Sequence, residues 1–465
     1  MTEPASEPWD AVVVGAGPAG LAASTLLAEH GTRVLLLDEQ PEPGGQIYRG
    51  IERAAAGGTR ARILGADYMH GASLVARFRA SSVTYRAETS LWHATPELAL
   101  FASHRGATDR LHASQLILAT GAMERAVPVP GWTLPGVVTA GALQILIKGS
   151  TLAPDQPVVL AGSGPLFYLL ATQCLAAGVP IAALLDTAEP RHMVSAAGAL
   201  PRALAGAGPS YLRKGFALMA QLRRARIPTF RAVRDLEIVG DDRVKGVRFK
   251  SRGKEHQLAA SLVALHEGVI PGQNATRLLG CNHVWDVHQF AFRPMLDAWG
   301  LTSNPAIHVA GDAGGIVGAR AAEHQGRLAA LDALIRLGRI DSATRDRHAA
   351  VERRALSAHL AVRPLLDRAY PPPADISTPA HDVIVCRCET VTAGEVRDLA
   401  RQGLGPNQIK AALRCGMGPC QGRLCGTTVT QIVAEARGSA PEGGDYYSIR
   451  APLKPVSIGE ISTLG

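Results

Sequence analysis

Five of the seven cysteines in this 465-residue chain lie between residues 386 and 425. Cys386 and Cys388 form a C-x-C pair, and Cys415, Cys420 and Cys425 follow at intervals of five residues. Thiolates at these spacings can converge on one metal centre, and four of them suit either zinc or a [2Fe–2S] cluster. Because structural zinc sites commonly use C-x₂-C pairs, the spacing favours iron and sulfide, with zinc and an unmetallated module as the alternatives.

A glycine motif near the N-terminus has the residue types that bind a dinucleotide. Gly15, Gly17 and Gly20 form G-x-G-x-x-G after an apolar run, and Asp38 follows at the distance expected for a carboxylate that binds a ribose. The helix that starts here would direct its N–H groups at a pyrophosphate. The motif alone does not distinguish FAD from NAD. The predicted contacts are Gly15, Gly17, Pro18, Ala19, Gly20 and Asp38, with Glu39 as the alternative acid.

A second, incomplete motif begins at Gly162 and Gly164, where the third glycine position is occupied by Phe167. A bulky side chain there hinders close packing of helix on strand and the seating of a pyrophosphate. Asp186 could still bind a ribose. Three hypotheses follow: a working NAD(P) site, a retained fold without ligand, or a site for another adenine nucleotide such as ATP. The missing glycine favours the loss of ordinary NAD(P) turnover.

The elements around both motifs follow a repeated strand–helix–strand pattern. Apolar strands are predicted at residues 12–14 and 34–37, with a helix at 21–27 between them, and the pattern recurs at 158–185. Strands that are apolar throughout are typical of a parallel sheet covered on both faces. Further strands are predicted at 116–118, 262–265, 307–309 and 383–385. The chain is therefore expected to be an α/β protein with two nucleotide-binding folds.

Three further segments favour FAD at the first motif. The run DEQPEPGGQIYR follows the predicted strand at 34–37, Ala119, Thr120 and Gly121 follow another strand, and Gly311 and Asp312 follow a third. At these residues the chain resembles the glutathione-reductase-like flavoproteins with two dinucleotide domains. The resemblance implies that Asp312 binds the flavin ribityl chain and that the next helix points its N-terminus at the flavin pyrimidine. The additional implied FAD contacts are Gly45, Gln46, Arg49, Ala119, Thr120, Gly121, Gly311 and Asp312.

One departure from those flavoproteins concerns the exit of electrons. Disulfide reductases of this superfamily carry a redox-active cysteine pair beside the flavin, whereas residues 38–50 contain no cysteine. Cys174 and Cys281 stand alone and are predicted to be packed as small hydrophobic residues. The electrons are therefore expected to leave by another route.

The cysteine module resembles the bacterioferritin-associated-ferredoxin-like (BFD-like) [2Fe–2S] domain, in which the CQGxxC segment recurs. The resemblance implies that the ligands are Cys386, Cys388, Cys420 and Cys425, with Cys415 as the spare thiol. Glycines at 416, 418 and 422 leave backbone N–H groups available to the cluster sulfurs.

The order of the two modules resembles the large (alpha) chain of dye-linked dehydrogenases that oxidise amino acids, a family that includes opine oxidases, D-hydroxyproline dehydrogenase and hydrogen cyanide synthase. The stretches GAGPAGLAA, AGSGP, GPSYLRKG, VCRCE and CGMGPCQGRLCG carry this likeness. It implies that a partner flavoprotein (beta) subunit oxidises the amine, that this chain relays the electrons, and that a small ferredoxin-like (gamma) subunit completes the assembly. His283, His288 and His324 are isolated, so no acid–base catalyst is assigned.

Two other functions remain open: a self-contained NAD(P)H-dependent flavin and iron–sulfur reductase, and a non-catalytic subunit that carries the cluster for assembly. The net charge of +8 is spread along the chain and aromatic residues make up only 5%, which argues against nucleic acid as a partner. Neither a signal peptide nor a membrane-length apolar run is present, so a cytoplasmic protein is expected.

The predicted domain limits follow from these motifs and from the proline-rich stretch at 371–379. They are a FAD-binding domain at 1–125 and 266–340, an inserted NAD(P)-type domain at 126–265, a helical and proline-rich connection at 341–380, a BFD-like domain at 381–436, and a tail at 437–465. The predicted fold is two nested Rossmann-like domains followed by a small helical iron–sulfur domain.

Overall fold

The computed structural model describes residues 8–57, 59–149 and 154–464. Its strands are β1 (Trp9–Val14), β2 (Val34–Leu37), β3 (Thr84–Arg86), β4 (Thr89–Ala94), β5 (Ala99–His104), β6 (Ala107–Leu118), β7 (Ala122–Glu124), β8 (Val137–Thr139), β9 (Val158–Gly162), β10 (Ile181–Asp186), β11 (Thr229–Arg231), β12 (Val233–Gly240), β13 (Val244–Ser251), β14 (Lys254–Ala259), β15 (Leu262–His266), β16 (Val269–Pro271), β17 (His283–Asp286), β18 (Ala291–Pro294), β19 (Ile307–Val309), β20 (Ile384–Cys386) and β21 (Val391–Thr392).

The helices are α1 (Pro18–Glu29), α2 (Ile51–Ala55), α3 (Thr59–Leu64), α4 (Ala66–Arg79), α5 (Ala140–Gly149), α6 (Pro165–Ala176), α7 (Pro190–Ala196), α8 (Leu200–Ala203), α9 (Gly208–Arg224), α10 (Asn274–Leu278), α11 (Ala319–Arg336), α12 (Ser342–Leu360), α13 (Arg363–Ala369), α14 (Ala374–Ser377), α15 (Ala393–Arg401), α16 (Pro406–Leu413), α17 (Gly426–Arg437) and α18 (Ile458–Ser462). No helix in the described ranges has the length and apolar character needed to cross a membrane.

The first sheet has the order β3-β2-β1-β6-β5-β4, and β19 pairs with β6. Strands β1, β2, β3, β6 and β19 run parallel, which brings their carboxyl ends to one edge. Helices α1 and α11 pack closely against each other at Gly326. A Cβ at this position would lie 2.1 Å from the carbonyl oxygen of Ala19, so the contact requires glycine. The buried apolar strands beneath them form the main core, as the sequence predicts for a doubly covered sheet.

The second sheet is parallel throughout, in the order β11-β10-β9-β15-β8. Its strands lie in the chain between β6 and β19 of the first sheet, so the chain leaves the first sheet and later returns to it. An antiparallel meander, β12-β13-β14, accompanies this second sheet. The two sheets give the α/β architecture that the glycine motifs predict.

The C-terminal module consists of the β20–β21 hairpin and helices α15 to α17, and the tail then returns to the first sheet. Leu453 N donates to the carbonyl oxygen of Trp92 at 2.7 Å, and Thr108 N donates to Thr463 Oγ1 at 2.8 Å. Lys454 forms an ion pair with Glu39. The tail therefore fastens the cysteine module to the first nucleotide-binding fold.

Candidate functional site

The first glycine loop has the geometry of a phosphate cradle. Gly15 has φ of +105°, and a Cβ at this position would lie 2.4 Å from the carbonyl oxygen of Ala119. Gly20 lets α1 approach β1, because its Cβ would lie 1.8 Å from the carbonyl oxygen of Gly15. Gly17 is the N-cap of α1, and no side chain accepts a hydrogen bond from the first turn of this helix. The first-turn N–H groups are thus available to an anionic ligand.

Asp38 is the acid that belongs to this loop. Its carboxylate accepts hydrogen bonds from Ala16 N at 2.5 Å and Gln40 N at 2.7 Å. Burial raises the pKa of Asp38 above its usual range, although the two backbone donors oppose the shift. Glu39, the alternative acid, instead forms its ion pair with Lys454 of the tail. The structure therefore places Asp38, and not Glu39, at the loop.

Cationic groups line the segment that follows Asp38. Gly45 has φ of +60° and packs on Gly17, since its Cβ would lie 2.7 Å from Gly17 Cα. Arg49 donates to Gln46 Oε1 at 3.0 Å. Lys148 reaches this segment from α5, and its Nζ donates to the carbonyl oxygen of Gln46 at 3.0 Å.

Sequence reasoning missed Lys148, because nothing in α5 marks it as different from a surface lysine. In the folded chain this residue is only 2% exposed. Burial, followed by the nearby charge of Arg49, lowers the pKa of Lys148 to about 7. An anionic phosphate beside it would favour the charged form of this amine.

The third part of the first site lies where β19 leads into α11. One oxygen of Asp312 accepts hydrogen bonds from Val317 N at 2.8 Å and Gly318 N at 2.9 Å. Its other oxygen has no partner among the described residues, so it is available to a hydroxyl group such as those of a ribityl chain. Gly311 N donates to Gln325 Oε1 at 3.0 Å, which fixes the turn. This turn, the first glycine loop and residues 119–121 all lie at the carboxyl edge of the first sheet.

The cysteines form a buried group of three and a neighbouring pair. The sulfurs of Cys386, Cys415 and Cys425 all lie within 4.8 Å of one another, and all three residues are buried. The thiol of Cys388 interacts with the thiol and backbone of Cys420. Hydrogen bonds from Cys415 and Cys425 lower the pKa of Cys386, which favours the thiolate that a metal binds.

Of the four cysteines predicted as ligands, Cys386 and Cys425 belong to the buried group of three, and Cys388 and Cys420 form the neighbouring pair. Two cysteines on each of two irons is the arrangement that a [2Fe–2S] cluster requires. Cys415, predicted as the spare, lies beside Cys386 and Cys425. The donor set therefore fits the cluster, and the assignment of Cys415 as the spare stays a prediction.

Two tyrosines from the tail cover the cysteines, and no sequence signal indicated them. Tyr447 is 2% exposed, and its hydroxyl donates to Cys415 Sγ at 3.3 Å and lies 3.8 Å from Cys425 Sγ. Its ring lies against Gly416, where a Cβ would approach within 2.6 Å. Tyr446 is also buried and donates to the carbonyl oxygen of Gly422 at 3.3 Å. The tail thus supplies the lid of the cysteine site.

A short chain of contacts joins the two sites. Thr120, one of the predicted flavin contacts, donates from Oγ1 to the carbonyl oxygen of Gly272 at 3.1 Å. Two residues later, buried Asn274 donates from Nδ2 to the carbonyl oxygen of Gln421 at 3.0 Å. Gln421 lies in the loop between Cys420 and Cys425, so the segment 272–274 connects the first site to the cysteine module.

The second glycine motif is occupied by groups of the chain itself. Tyr168 donates from its hydroxyl to Asp186 Oδ2 at 2.8 Å, and Ala188 N donates to the other oxygen at 3.0 Å. The Tyr370 side chain lies against Gly164, 3.9 Å from where a Cβ would stand. Phe167 is 1% exposed and belongs to the core. Asp38 accepts its two hydrogen bonds from backbone N–H groups, whereas Asp186 is covered by the tyrosine side chain of the helix that follows the glycine turn.

The cavity at the carboxyl edge of the second sheet is acidic. It measures about 200 Å³ and is lined by four carboxyl side chains, those of Glu189, Asp235, Glu267 and Asp375. Burial raises the pKa of Glu267 to about 8. Arg234 also lines the cavity, but it forms an ion pair with Glu189 at 2.5 Å. Among the described lining residues, the one cationic side chain is thus already paired, and the cavity offers no free positive charge to the phosphates of a dinucleotide.

Comparison with known proteins identifies both modules. Residues 9–326 match the pyridine nucleotide-disulphide oxidoreductase family, and residues 384–435 match the BFD-like [2Fe-2S] binding domain. An opine oxidase subunit of Rhizobium meliloti (strain 1021) is 49% identical over 98% of this chain and 99% of its own length. The HcnB subunit of hydrogen cyanide synthase from Pseudomonas protegens is 32% identical over 96% of each chain.

Among solved structures, L-proline dehydrogenase from P. horikoshii aligns with 99% of this chain and 81% of its own, with a TM-score of 0.69 and 19% identity. This likeness shows the fold alone. Together the matches confirm the predicted fold class and the two predicted cofactors, FAD and a [2Fe–2S] cluster. The chain is a FAD-dependent oxidoreductase that belongs to the pyridine nucleotide-disulphide oxidoreductase family, in the branch that carries a C-terminal BFD-like [2Fe–2S] domain and includes subunits of opine oxidase and hydrogen cyanide synthase.

Proposed function

We propose that this chain is the electron-transfer subunit of a multi-subunit dye-linked dehydrogenase that oxidises amino acids or secondary amines of the opine, hydroxyproline, proline or glycine class. The observation that carries the proposal is the short hydrogen-bonded connection between the two sites, through Gly272, Asn274 and Gln421. The relatives support it, since each of them is itself named as one subunit of a larger enzyme, opine oxidase or hydrogen cyanide synthase.

The protein's part in this function is to hold and separate the two cofactors. The α1 N-terminus and Arg49 would bind the FAD pyrophosphate, Asp38 the ribose, and the available oxygen of Asp312 the ribityl chain. When bound, FAD accepts an electron pair and can deliver single electrons to a one-electron centre. Tyr447 and the surrounding apolar residues shield Cys415 and Cys425 from water, whereas Cys388 is exposed and marks the outward side of the module.

The three histidines considered as acid–base candidates have structural roles or lie at the surface. His283 is held by Thr276 Oγ1 and the carbonyl oxygen of Cys281, and burial lowers its pKa to about 3. His324 Nδ1 lies 2.6 Å from Glu352 Oε2. His288 is exposed. None of the three supplies a base beside the flavin loops, which agrees with amine oxidation on a partner flavoprotein.

The test begins with the protein that accompanies this chain. The tagged chain would be purified from its source cells and the accompanying chains identified by mass spectrometry, then expressed separately. The chain alone is expected to show little amine-dependent dye reduction, and addition of the partner flavoprotein is expected to restore it. Full activity of the purified single chain would contradict the proposal.

The NAD(P)H-reductase alternative gives the first prediction. An anaerobic excess of NADH or NADPH is expected to leave the flavin absorbance of the isolated chain unchanged. The reason is that Tyr168 and Tyr370 occupy the second glycine site and carboxyl groups line its cavity. Dithionite serves as the positive control, and stoichiometric bleaching by either nucleotide within the mixing time would support the reductase instead.

The alternative of a non-catalytic assembly component differs in the behaviour of the flavin. Under that hypothesis the flavin is inert and exchanges no electrons with the cluster. A reductive titration would then reduce the cluster while the flavin absorbance stays unchanged. The contact through Asn274 favours exchange of electrons between them. We therefore expect flavin absorbance and the cluster's electron paramagnetic resonance signal to change together in one titration.

A second prediction concerns the tyrosine that covers the cysteines. Tyr447→Phe is expected to lower the reduction potential of the cluster by about 40 mV. The Tyr447 hydroxyl lies 3.8 Å from Sγ of the predicted ligand Cys425, and one hydrogen bond of about 1 kcal/mol to a ligand sulfur stabilises the reduced state. The measurement is a redox titration followed by electron paramagnetic resonance. Tyr446→Phe is the matched control, since the Tyr446 hydroxyl binds a carbonyl oxygen and not a sulfur. Equal potentials for wild type and Tyr447→Phe would contradict the prediction.

A further inference from the structure

Residues 190–234 contain nine lysines and arginines and no aspartate or glutamate. The chain as a whole is nearly balanced, with 48 basic and 40 acidic residues, so this stretch departs sharply from its surroundings. It includes the GPSYLRKG motif and forms helices α7, α8 and α9 and strand β11. Neither the flavin site nor the cluster site uses it.

Much of this charge lacks an ion-pair partner. Arg191 and Arg234 pair with Glu189, and Lys214 pairs with Asp67 at 2.5 Å. Within this stretch, the exposed arginines that form no ion pair with the described chain are Arg202, Arg213, Arg223, Arg224, Arg226 and Arg231. The surface therefore carries an uncompensated positive charge that attracts an acidic partner.

The same surface exposes an unusual share of apolar side chains. Five of the fourteen large apolar residues that are exposed in the described chain lie between residues 193 and 216. Phe216 is 66% exposed and Val194 is 75% exposed. Single exposed apolar residues are ordinary, but their concentration in one segment indicates an interaction site.

Contacts on the inner side of helix α9 fix its orientation on the protein. Tyr211 OH lies 2.8 Å from His359 Nδ1, and Ala207 N donates to the carbonyl oxygen of Ala358 at 3.1 Å. Leu222 is buried. Phe216 and Arg223 are seven residues apart, two helical turns, and therefore share the outer face of α9. Aromatic and arginine side chains are the residues enriched in interface hot spots.

We infer that the exposed side of α9, centred on Phe216 and extended by the exposed residues of α7 and α8 that precede it in the chain, docks a protein that presents carboxylates around an apolar patch, and that this protein is the amine-oxidising partner flavoprotein. The inference rests on the proposed function for the identity of the partner. A membrane surface fits less well, because a helix that lies on lipid presents its apolar side chains to it, whereas Leu222 of α9 is turned into the protein. Nucleic acid fits less well, because base stacking needs several exposed aromatic side chains.

The test uses the full chain with its cofactors and the partner flavoprotein identified by co-purification. Phe216→Ser is expected to weaken the complex about 30-fold, as for an aromatic hot spot. The double variant Arg213→Glu/Arg224→Glu is expected to slow association about 10-fold at low salt and to reduce its salt dependence. Ile458→Ser, which alters an 87% exposed side chain of α18, is the control and should bind as wild type does.

The visible spectrum of every variant must retain the flavin and cluster bands, which shows that the substitution has not removed a cofactor. Partner binding that is unchanged in both variants would overturn the docking surface while leaving the proposed function intact. Failure to recover any partner with the wild-type chain would overturn the proposed function and the inference with it. Phe216-dependent self-association in light scattering, or Phe216-dependent sedimentation with phosphatidylglycerol vesicles, would assign the surface to a second copy or to a membrane instead.

Discussion

Cys386→Ser is expected to purify with its flavin but without its cluster. Cys386 belongs both to the predicted ligand set and to the buried group of three thiols, so the sequence and the structure both place it at the cluster. Iron and labile sulfide are expected to fall below about a tenth of the wild-type content, since even outer-shell substitutions cost about 10–100-fold in metal affinity. Iron and sulfide analysis, with electron paramagnetic resonance of the reduced protein, gives the measurement.

Two other cysteines make this experiment decisive. Cys281→Ser is the control, because Cys281 is buried outside the module and should leave the cluster intact. Cys415→Ser separates the ligand from the spare: the likeness to the BFD-like domain leaves Cys415 as the spare thiol and predicts that the cluster of this variant is retained. A Cys415→Ser protein without iron would show that Cys415 is a ligand. A full cluster in Cys386→Ser would contradict the site as a whole.

Gly17→Ala is expected to fold normally and to lose FAD. Gly17 has φ of −78° and ψ of −176°, which any residue adopts, and the nearest atom to its added Cβ is Gly45 Cα at 3.9 Å. The added methyl group therefore fits among the protein atoms, but it lies where the pyrophosphate of FAD must approach the backbone. Overpacking costs about 1–3 kcal/mol, so flavin affinity should fall by up to about 100-fold.

The measurement is flavin released per chain, together with the dissociation constant of FAD for the apoprotein. Gly198→Ala is a matched control, because a Cβ at Gly198 meets no atom within 4 Å and Gly198 lies outside the glycine loops. Circular dichroism should be unchanged in both variants. Retention of stoichiometric FAD by Gly17→Ala would show that the pyrophosphate does not pass this residue.

The nucleotide-binding folds could be predicted from sequence because local rules determine them. The predicted strand at 34–37 is β2 without change, and the helix predicted from residue 21 begins three residues earlier, at Pro18. That difference arises because proline is favoured in the first turn of a helix, where its missing N–H has no partner to lose. The apolar strands, the glycine turn and the acid at the end of the second strand lie close together in the chain, so their spacing can be recognised from the sequence alone.

The parts that sequence reasoning missed depend on contacts between distant segments. Lys148 contacts residue 46 across about a hundred positions, and Tyr447 meets Cys415 from a tail that showed only a glycine-, proline- and tyrosine-rich composition. The closure of the second glycine site likewise depends on Tyr370, which no motif near Gly164 indicates. Spacing rules cannot reveal such partners, because the residues meet only when the whole chain has folded.

The returning tail makes the cover of the cysteine site depend on residues that lie well beyond the cysteines in the chain. Tyr446, Tyr447, Leu453 and Lys454 follow Cys425, yet they cover the cysteines and join the module to the first sheet. A proteolytic cut between Gly438 and Tyr446 would therefore leave every cysteine in place and still remove the cover. Cys415 and Cys425 would then be exposed to solvent and to oxidants.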